Sequence, residues 1–182
     1  MFHHLTRLVR HRWLDHSDAA RAIGPDAAAR LRERVAASER CHTGEIRLCI
    51  EGGLPPSYLW RHWRDRVPMQ DIVHQRALML FSKLRVWDTA ENNGVLIYLL
   101  LAEHAMEVVA DRGLAQRVPP GTWQAVVQRL GSALRDGQFE QGLNEAIDAV
   151  TTQLVAHFPA SGEALLAGAG RPNQLPDEPV LR

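Results

Sequence analysis

Residues 85–113 read RVWDTAENNGVLIYLLLAEHAMEVVADRG. A polar loop, a long apolar run, a short break and a second apolar run follow one another, and this order decides the fold. Residues 95–101 (VLIYLLL) are apolar without interruption and sit directly behind Gly94, which is how a strand covered on both faces reads. Ala102 and Glu103 interrupt the run, and residues 104–110, with Met106, Val108 and Val109, read as a strand returning antiparallel across a two-residue connection. The return brings Asp111, Arg112 and Gly113 level with Asp88, Glu91, Asn92 and Asn93.

Working upstream, Ile46, Leu48 and Ile50 alternate with Glu45, Arg47, Cys49 and Glu51, the pattern of a strand with one apolar face. Gly52, Gly53, Pro55 and Pro56 then break the chain, and SYLWRHWRDR reads as a short helix or lid. Its Trp60 and Trp63, at i and i+3, are expected to staple that lid to the core. An exposed aromatic pair serving a partner or self-association is the alternative. Between Met69 and Leu84, the residues Val73, Ala77, Leu80, Phe81 and Leu84 share one helical face and supply a crossover. A strand-helix-strand unit of this kind predicts two parallel strands joined by a right-handed connection.

Pro25 and Asp26 open an alanine-rich helix that runs to about Arg40, with Leu31 and Val35 inward. Downstream, the segment 119–122 (PPGT) announces a helix striped by Trp123, Val126, Val127, Leu130 and Leu134. A last helix carries Phe139, Leu143, Ile147, Val150 and Leu154 and stops at Pro159. The expected architecture is α/β, a three-layer α/β/α sandwich with a small mixed central sheet, over residues 25–158. A flexible tail rich in Gly, Pro and small residues is expected over 159–182.

The chain has 182 residues, 46% of them apolar, enough for one proper core. Its 21 basic and 21 acidic side chains cancel, so no global field draws nucleic acid, and nucleic-acid binding is not expected. In the N-terminal segment, residues 1–24, Phe2, Leu5, Leu8, Val9 and Trp13 lie opposite Arg7, Arg10 and Arg12, which predicts a short amphipathic helix. It either docks on the domain or makes a peripheral membrane contact. No signal core opens the chain and no run reaches the roughly 18 to 20 apolar residues of a transmembrane segment, so a cytoplasmic protein is expected. In such a reducing compartment Cys41 and Cys49 are expected as free thiols.

If the first two strands are parallel and the third returns, one sheet edge collects His42, Glu45, Asp88, Glu91, Asn92, Asn93, Asp111 and Arg112. Glu51 and Glu103 fall at the opposite end. Asp88, Glu91, Asn92, Asn93 and Asp111 are hard oxygen donors of the type calcium or magnesium takes, and a flexible loop suits calcium's variable coordination better. The structural alternative is that Asp88 caps a turn while Asn92-Asn93-Gly94 shapes the entry to the strand. The nine histidines show no zinc spacing, and no GxSxG elbow, C-x5-R phosphate loop or P-loop is expected to supply a nucleophile or phosphate cradle. Hydrolysis here would have to use metal-activated water, with Asp88 and Asp111 on the metal, Arg112 on a phosphate and His42 as general acid.

The loop DTAENNG (88–94), the strand VLIYLLL and the exit ADRGL (110–114) resemble the TPM domain family. The likeness extends to the preceding HTGEIRLCIE and the trailing FEQGLNEAIDAV, and so covers roughly residues 25–158. The family's Gly-aromatic-Gly-Leu exit is replaced here by Ala110-Asp111-Arg112-Gly113-Leu114, which keeps only its second glycine and the leucine. The resemblance implies an α/β/α sandwich, divalent-metal binding as in some members, and a phosphatase activity claimed for some. Two functions follow from it. One is an accessory module whose metal-dressed edge, with Glu45 in its groove, recognises a protein partner; the other is a metal-dependent phosphatase acting on small or protein phosphates.

Overall fold

The computed structural model describes residue 11 and residues 16–160 and 173–182. A helix α1 (His16–Glu39) leads into strand β1 (Glu45–Glu51), followed by helices α2 (Pro56–Arg64) and α3 (Met69–Lys83). Strands β2 (Gly94–Leu100) and β3 (Ala105–Ala110) come next, then the one-turn helix α4 (Arg112–Ala115), the long helices α5 (Thr122–Arg135) and α6 (Phe139–His157), and a short β4 (Val180–Leu181). Helix α1 starts before the expected Pro25 and is kinked at Gly24, whose φ of 68° is non-helical. Proline disfavours helical backbone in the residue before it, which puts the kink there.

The sheet has the order β3-β2-β1-β4. β1 runs parallel to β2, with Glu45 opposite Gly94, and β2 runs antiparallel to β3, with Val95 opposite Ala110. Alternate residues feed two cores. Ile46, Leu48, Ile50, Val95, Ile97 and Leu99 pack with residues of α1, α5 and α6, among them Leu31, Leu134 and Ile147. Cys49, Leu96, Tyr98 and Leu100 pack with Leu59 of α2 and with Ile72, Ala77 and Leu80 of α3. The fold is therefore α/β, with helices on both faces of a mixed sheet.

Four features depart from the sequence-based expectations. The second face of β1 is covered: Cys49 is fully buried, and burial pushes its thiol up to about 12. On the same face buried Glu51 accepts from the Arg76 guanidinium and, at 2.7 Å, from the Tyr98 hydroxyl. The connection between β2 and β3 is longer than two residues, because residues 101–103 wind into a 3-10 turn and His104 takes a left-handed φ of 50°. His104 Nδ1 lies 2.8 Å from the Leu134 carbonyl and its ring packs edge-on against Phe139, so contacts with α5 and α6 hold that turn.

Trp60 and Trp63 are not stapled to the core, being 54% and 55% exposed; only Leu59 of α2 is buried. The end of the expected flexible tail forms a strand, since Val180 and Leu181 pair parallel with Cys49 and Ile50. The expected N-terminal helix lies outside the described residues except for His11. That residue is buried, accepts the Leu54 N–H at Nδ1 (3.0 Å) and meets Glu103 Oε1 from Nε2 (2.8 Å). Among the described residues no helix is long and apolar enough to cross a membrane, and both cysteines are free thiols.

Candidate functional site

Two backbone bonds clamp the loop before β2 to the exit of β3. The Asp111 N–H donates to the Gly94 carbonyl and the Gly113 N–H to the Asn92 carbonyl, each at 2.8 Å. A Cβ on Gly113 would lie 2.5 Å from the Asn92 oxygen and 2.6 Å from the Glu91 oxygen, so the approach requires glycine. On the facing side Asn92 turns the loop with a φ of 53°, a left-handed conformation that asparagine tolerates well. Thr89 closes the loop from within, its hydroxyl accepting the Asn93 N–H at 3.1 Å.

This clamp brings Glu91, Asn93 and Thr43 into one cluster. The Thr43 hydroxyl donates to Glu91 Oε2 (2.7 Å), and the Asn93 amide nitrogen donates to Thr43 Oγ1 (3.2 Å) and more weakly to Glu91 (3.4 Å). Next to it, Asp111 caps α4 by accepting the Arg112 N–H at 2.7 Å, and the Arg112 guanidinium donates to Asn92 Oδ1 at 3.2 Å. Asn93 is fully buried and Asp111 nearly so, yet Asn93 Oδ1 and Asp111 Oδ2 find no hydrogen-bond partner among the described residues. A cleft of about 470 Å³ opens at the Thr43 and Glu91 side of the cluster, lined further by Arg117, His157, Phe158 and Pro159.

The remaining expected site residues each have partners outside this cluster. Asp88 is exposed and pairs with Arg85 at 2.9 Å. Glu45 is buried and accepts the Leu175 N–H at 3.2 Å, which ties it to the C-terminal segment. His42 is buried at a helix-loop corner, with Nε2 2.8 Å from the Ser38 hydroxyl and Nδ1 3.1 Å from the Gly44 carbonyl. Ser38 reaches on to Thr151 of α6 at 2.5 Å, so the His42 side chain sits in the packing of α1 on α6. Among the described residues no three His, Cys, Asp or Glu side chains are grouped to hold a metal ion.

Sequence reasoning missed Thr43, Arg117 and Phe158. Arg117 stacks over the Phe158 ring at 4.3 Å and donates to the His157 carbonyl at 2.8 Å. Thr43 could have been found, since it lies between His42 and the first strand at the same edge; Arg117 and Phe158 meet there only through the docking of α6. The expectation that no C-x5-R phosphate loop is present needs one correction of pattern, since Cys41 to Arg47, CHTGEIR, has that spacing. The geometry removes it. The segment runs from a helix end into a strand, and Arg47 donates to the Pro176 and Glu178 carbonyls instead of closing a loop around the thiol.

Comparison with known proteins bears on this geometry. The BA42 protein of the psychrophilic bacterium Bizionia argentinensis, solved by NMR, superposes with a TM-score of 0.67 at 21% sequence identity. The match covers 86% of this chain and 93% of that one, which is a likeness of fold. No curated protein is similar enough to match. The family model of the TPM domain matches residues 16–153, from α1 through most of α6 and across the whole clamped edge, and the chain belongs to the TPM domain family.

Proposed function

We propose that the protein is an interaction module whose clamped edge takes up a hard divalent cation, calcium or magnesium, beside Asn93 and Asp111. The dressed edge then recognises a protein partner. The observation that carries this reading is the pair of buried, partnerless oxygens, Asn93 Oδ1 and Asp111 Oδ2. A buried polar atom left unsatisfied costs about 1 to 3 kcal/mol, so two on facing stretches of backbone favour an occupant that oxygen atoms can ligate. The donor set is one carboxylate, one amide oxygen and, at the mouth, Glu91. Such a mixed set, completed by water, suits calcium better than the strict octahedron of magnesium.

The phosphatase reading is weaker, because its general acid, His42, is packed away from the edge. No observation favours it over the binding module.

Calorimetric titration with calcium and with magnesium tests the proposal. Binding is expected in the range of weak oxygen sites, Kd roughly 10⁻⁴ to 10⁻³ M. Asp111→Asn keeps the helix cap, since asparagine caps as well as aspartate, but removes the charge, so affinity should fall at least about tenfold with the fold intact. No heat of binding at millimolar concentrations of either ion would remove the cation from the site. A metal-dependent phosphate release above about 1 per second, lost in Asp111→Asn, would make the enzyme reading the better one.

A further inference from the structure

Helix α2 projects an aromatic and cationic surface away from the clamped edge. Leu59 anchors it in the second core, and Arg61 donates to Gln75 of α3 at 2.7 Å. Outward, the Trp60 and Trp63 rings lie 5.1 Å apart, tilted by 53°, and each is more than half exposed. The stretch WRHWRDR (60–66) sets Arg61, Arg64 and Arg66 against the single Asp65, whose contact with Arg64 is a loose 3.9 Å. The Arg66 guanidinium has no ion pair among the described residues. Beyond the helix end Arg66 turns the chain with a φ of 53°, and His62 Nδ1 meets the Val67 carbonyl at 2.7 Å. Between them opens a cleft of about 630 Å³, lined by His62, Trp63, Arg64, Arg66, Val67 and Pro68.

We propose that α2 and the turn over residues 64–68 form a docking surface for an anionic phospholipid bilayer. Trp60 and Trp63 insert at headgroup level, and the Arg64/Arg66 cleft holds a lipid phosphate. Indole rings favour the water-bilayer boundary, where an apolar body and an N–H can both be satisfied. Guanidinium groups bind phosphate in bidentate fashion and are drawn to an anionic leaflet. A second copy of the chain fits worse, since a two-fold contact through this surface would press arginines against arginines. A protein partner would have to match two tilted indoles and three long cationic side chains in shape. A fluid bilayer has only to admit the rings and offer phosphate oxygens beside them.

The full chain is sedimented with phosphatidylcholine vesicles and with vesicles that also contain phosphatidylglycerol. Binding is expected only to the anionic vesicles, weakening with added salt and undisturbed by inorganic phosphate at constant ionic strength. Trp60→Ser with Trp63→Ser should lower vesicle affinity at least about tenfold, because the inserted apolar area is lost. Arg64→Glu with Arg66→Glu should lower it about 25-fold or more, at about fivefold for each arginine removed. Melting temperatures should stay unchanged, as these side chains are exposed. Headgroup-level spin-labelled lipid should quench the native fluorescence and quench Trp60→Phe/Trp63→Phe much less, a readout that keeps the aromatic character of both positions.

Absence of binding to anionic vesicles overturns the proposal. So does binding that survives both double variants, which would place the lipid contact elsewhere, on the N-terminal segment for example. Displacement by inorganic phosphate would mean a free-phosphate site. Binding to polyglutamate but not to vesicles, with the same dependence on the tryptophans and arginines, would mean an acidic protein partner.

Discussion

Glu39 accepts the Ile46 N–H at 2.8 Å near Glu45 and Asp177, and burial, reinforced by those two carboxyl groups, pushes its own carboxyl up to about 9. Between about 4.5 and 9 the folded chain therefore keeps a proton that the unfolded chain has lost. The folded state binds more protons across that window, so stability falls as pH rises through it and levels off above. Glu39→Gln keeps an acceptor for Ile46 and a donor for Asp177 but cannot ionise. Melting curves at a series of pH values should slope downward less steeply for the variant, and parallel slopes would mean that Glu39 is ordinary. In the sequence this residue is one more glutamate near the end of an alanine-rich helix, because the groups that bury it come from β1 and from the C-terminal segment. His42 shows the same dependence: the sequence puts a histidine beside an acidic edge, and its packing partners, Ser38 and through it Thr151, are set by how α1 meets α6. The placement of Asn93 and Asp111 at one edge was legible because each lies at a strand end, where topology alone fixes the edge it occupies.

At the scale of elements, the clamp between the loop and the β3 exit rests on one glycine. Gly113→Ala would drive a methyl into the carbonyls of Asn92 and Glu91, which are backbone atoms and cannot swing aside. The variant should lose roughly 1 to 3 kcal/mol, as overpacking does, and amide exchange should speed up at Asn93 and Asp111 more than in α3. Unchanged exchange at those amides would show that the clamp is not what orders the site. The directions of β1, β2 and β3 follow from the run 95–101 and the crossover helix, so these three strands are readable in the sequence. The turn after β2 was not, since its left-handed His104 is held by Leu134 and Phe139 of later helices. The tryptophans of α2 show the limit of periodicity: spacing reveals that two residues share a side of a helix, not which side the core takes. In a nine-residue helix Leu59 alone settles that.

On the scale of the whole molecule, a net charge of zero hides a basic surface at α2, because the sum over the chain cancels a cluster that residues 60–66 carry and that the placement of α2 leaves exposed. The C-terminal segment shows the same dependence on long-range placement. Its composition reads as a tail, and β4 pairs with only Cys49 and Ile50, too short a ladder for any pattern to announce. Yet the segment is tied at several points. Gln174 Oε1 accepts the Ala90 N–H at 2.8 Å, Leu175 donates to Glu45, and the Pro176 and Glu178 carbonyls accept from Arg47. The Arg182 N–H donates to the Ile50 carbonyl at 2.9 Å. Ending the chain at residue 172 would strip these partners from the loop, from buried Glu45 and from the half-buried Arg47, and would leave β1 as a bare sheet edge open to strand addition. The shortened protein should melt about 5 °C lower or more, and its excess amide exchange should concentrate at Ala90 and along β1, with α5 and α6 unaffected. A truncated chain that melts with the full-length protein and protects Ala90 equally well would show that the segment rests on the domain without ordering the edge.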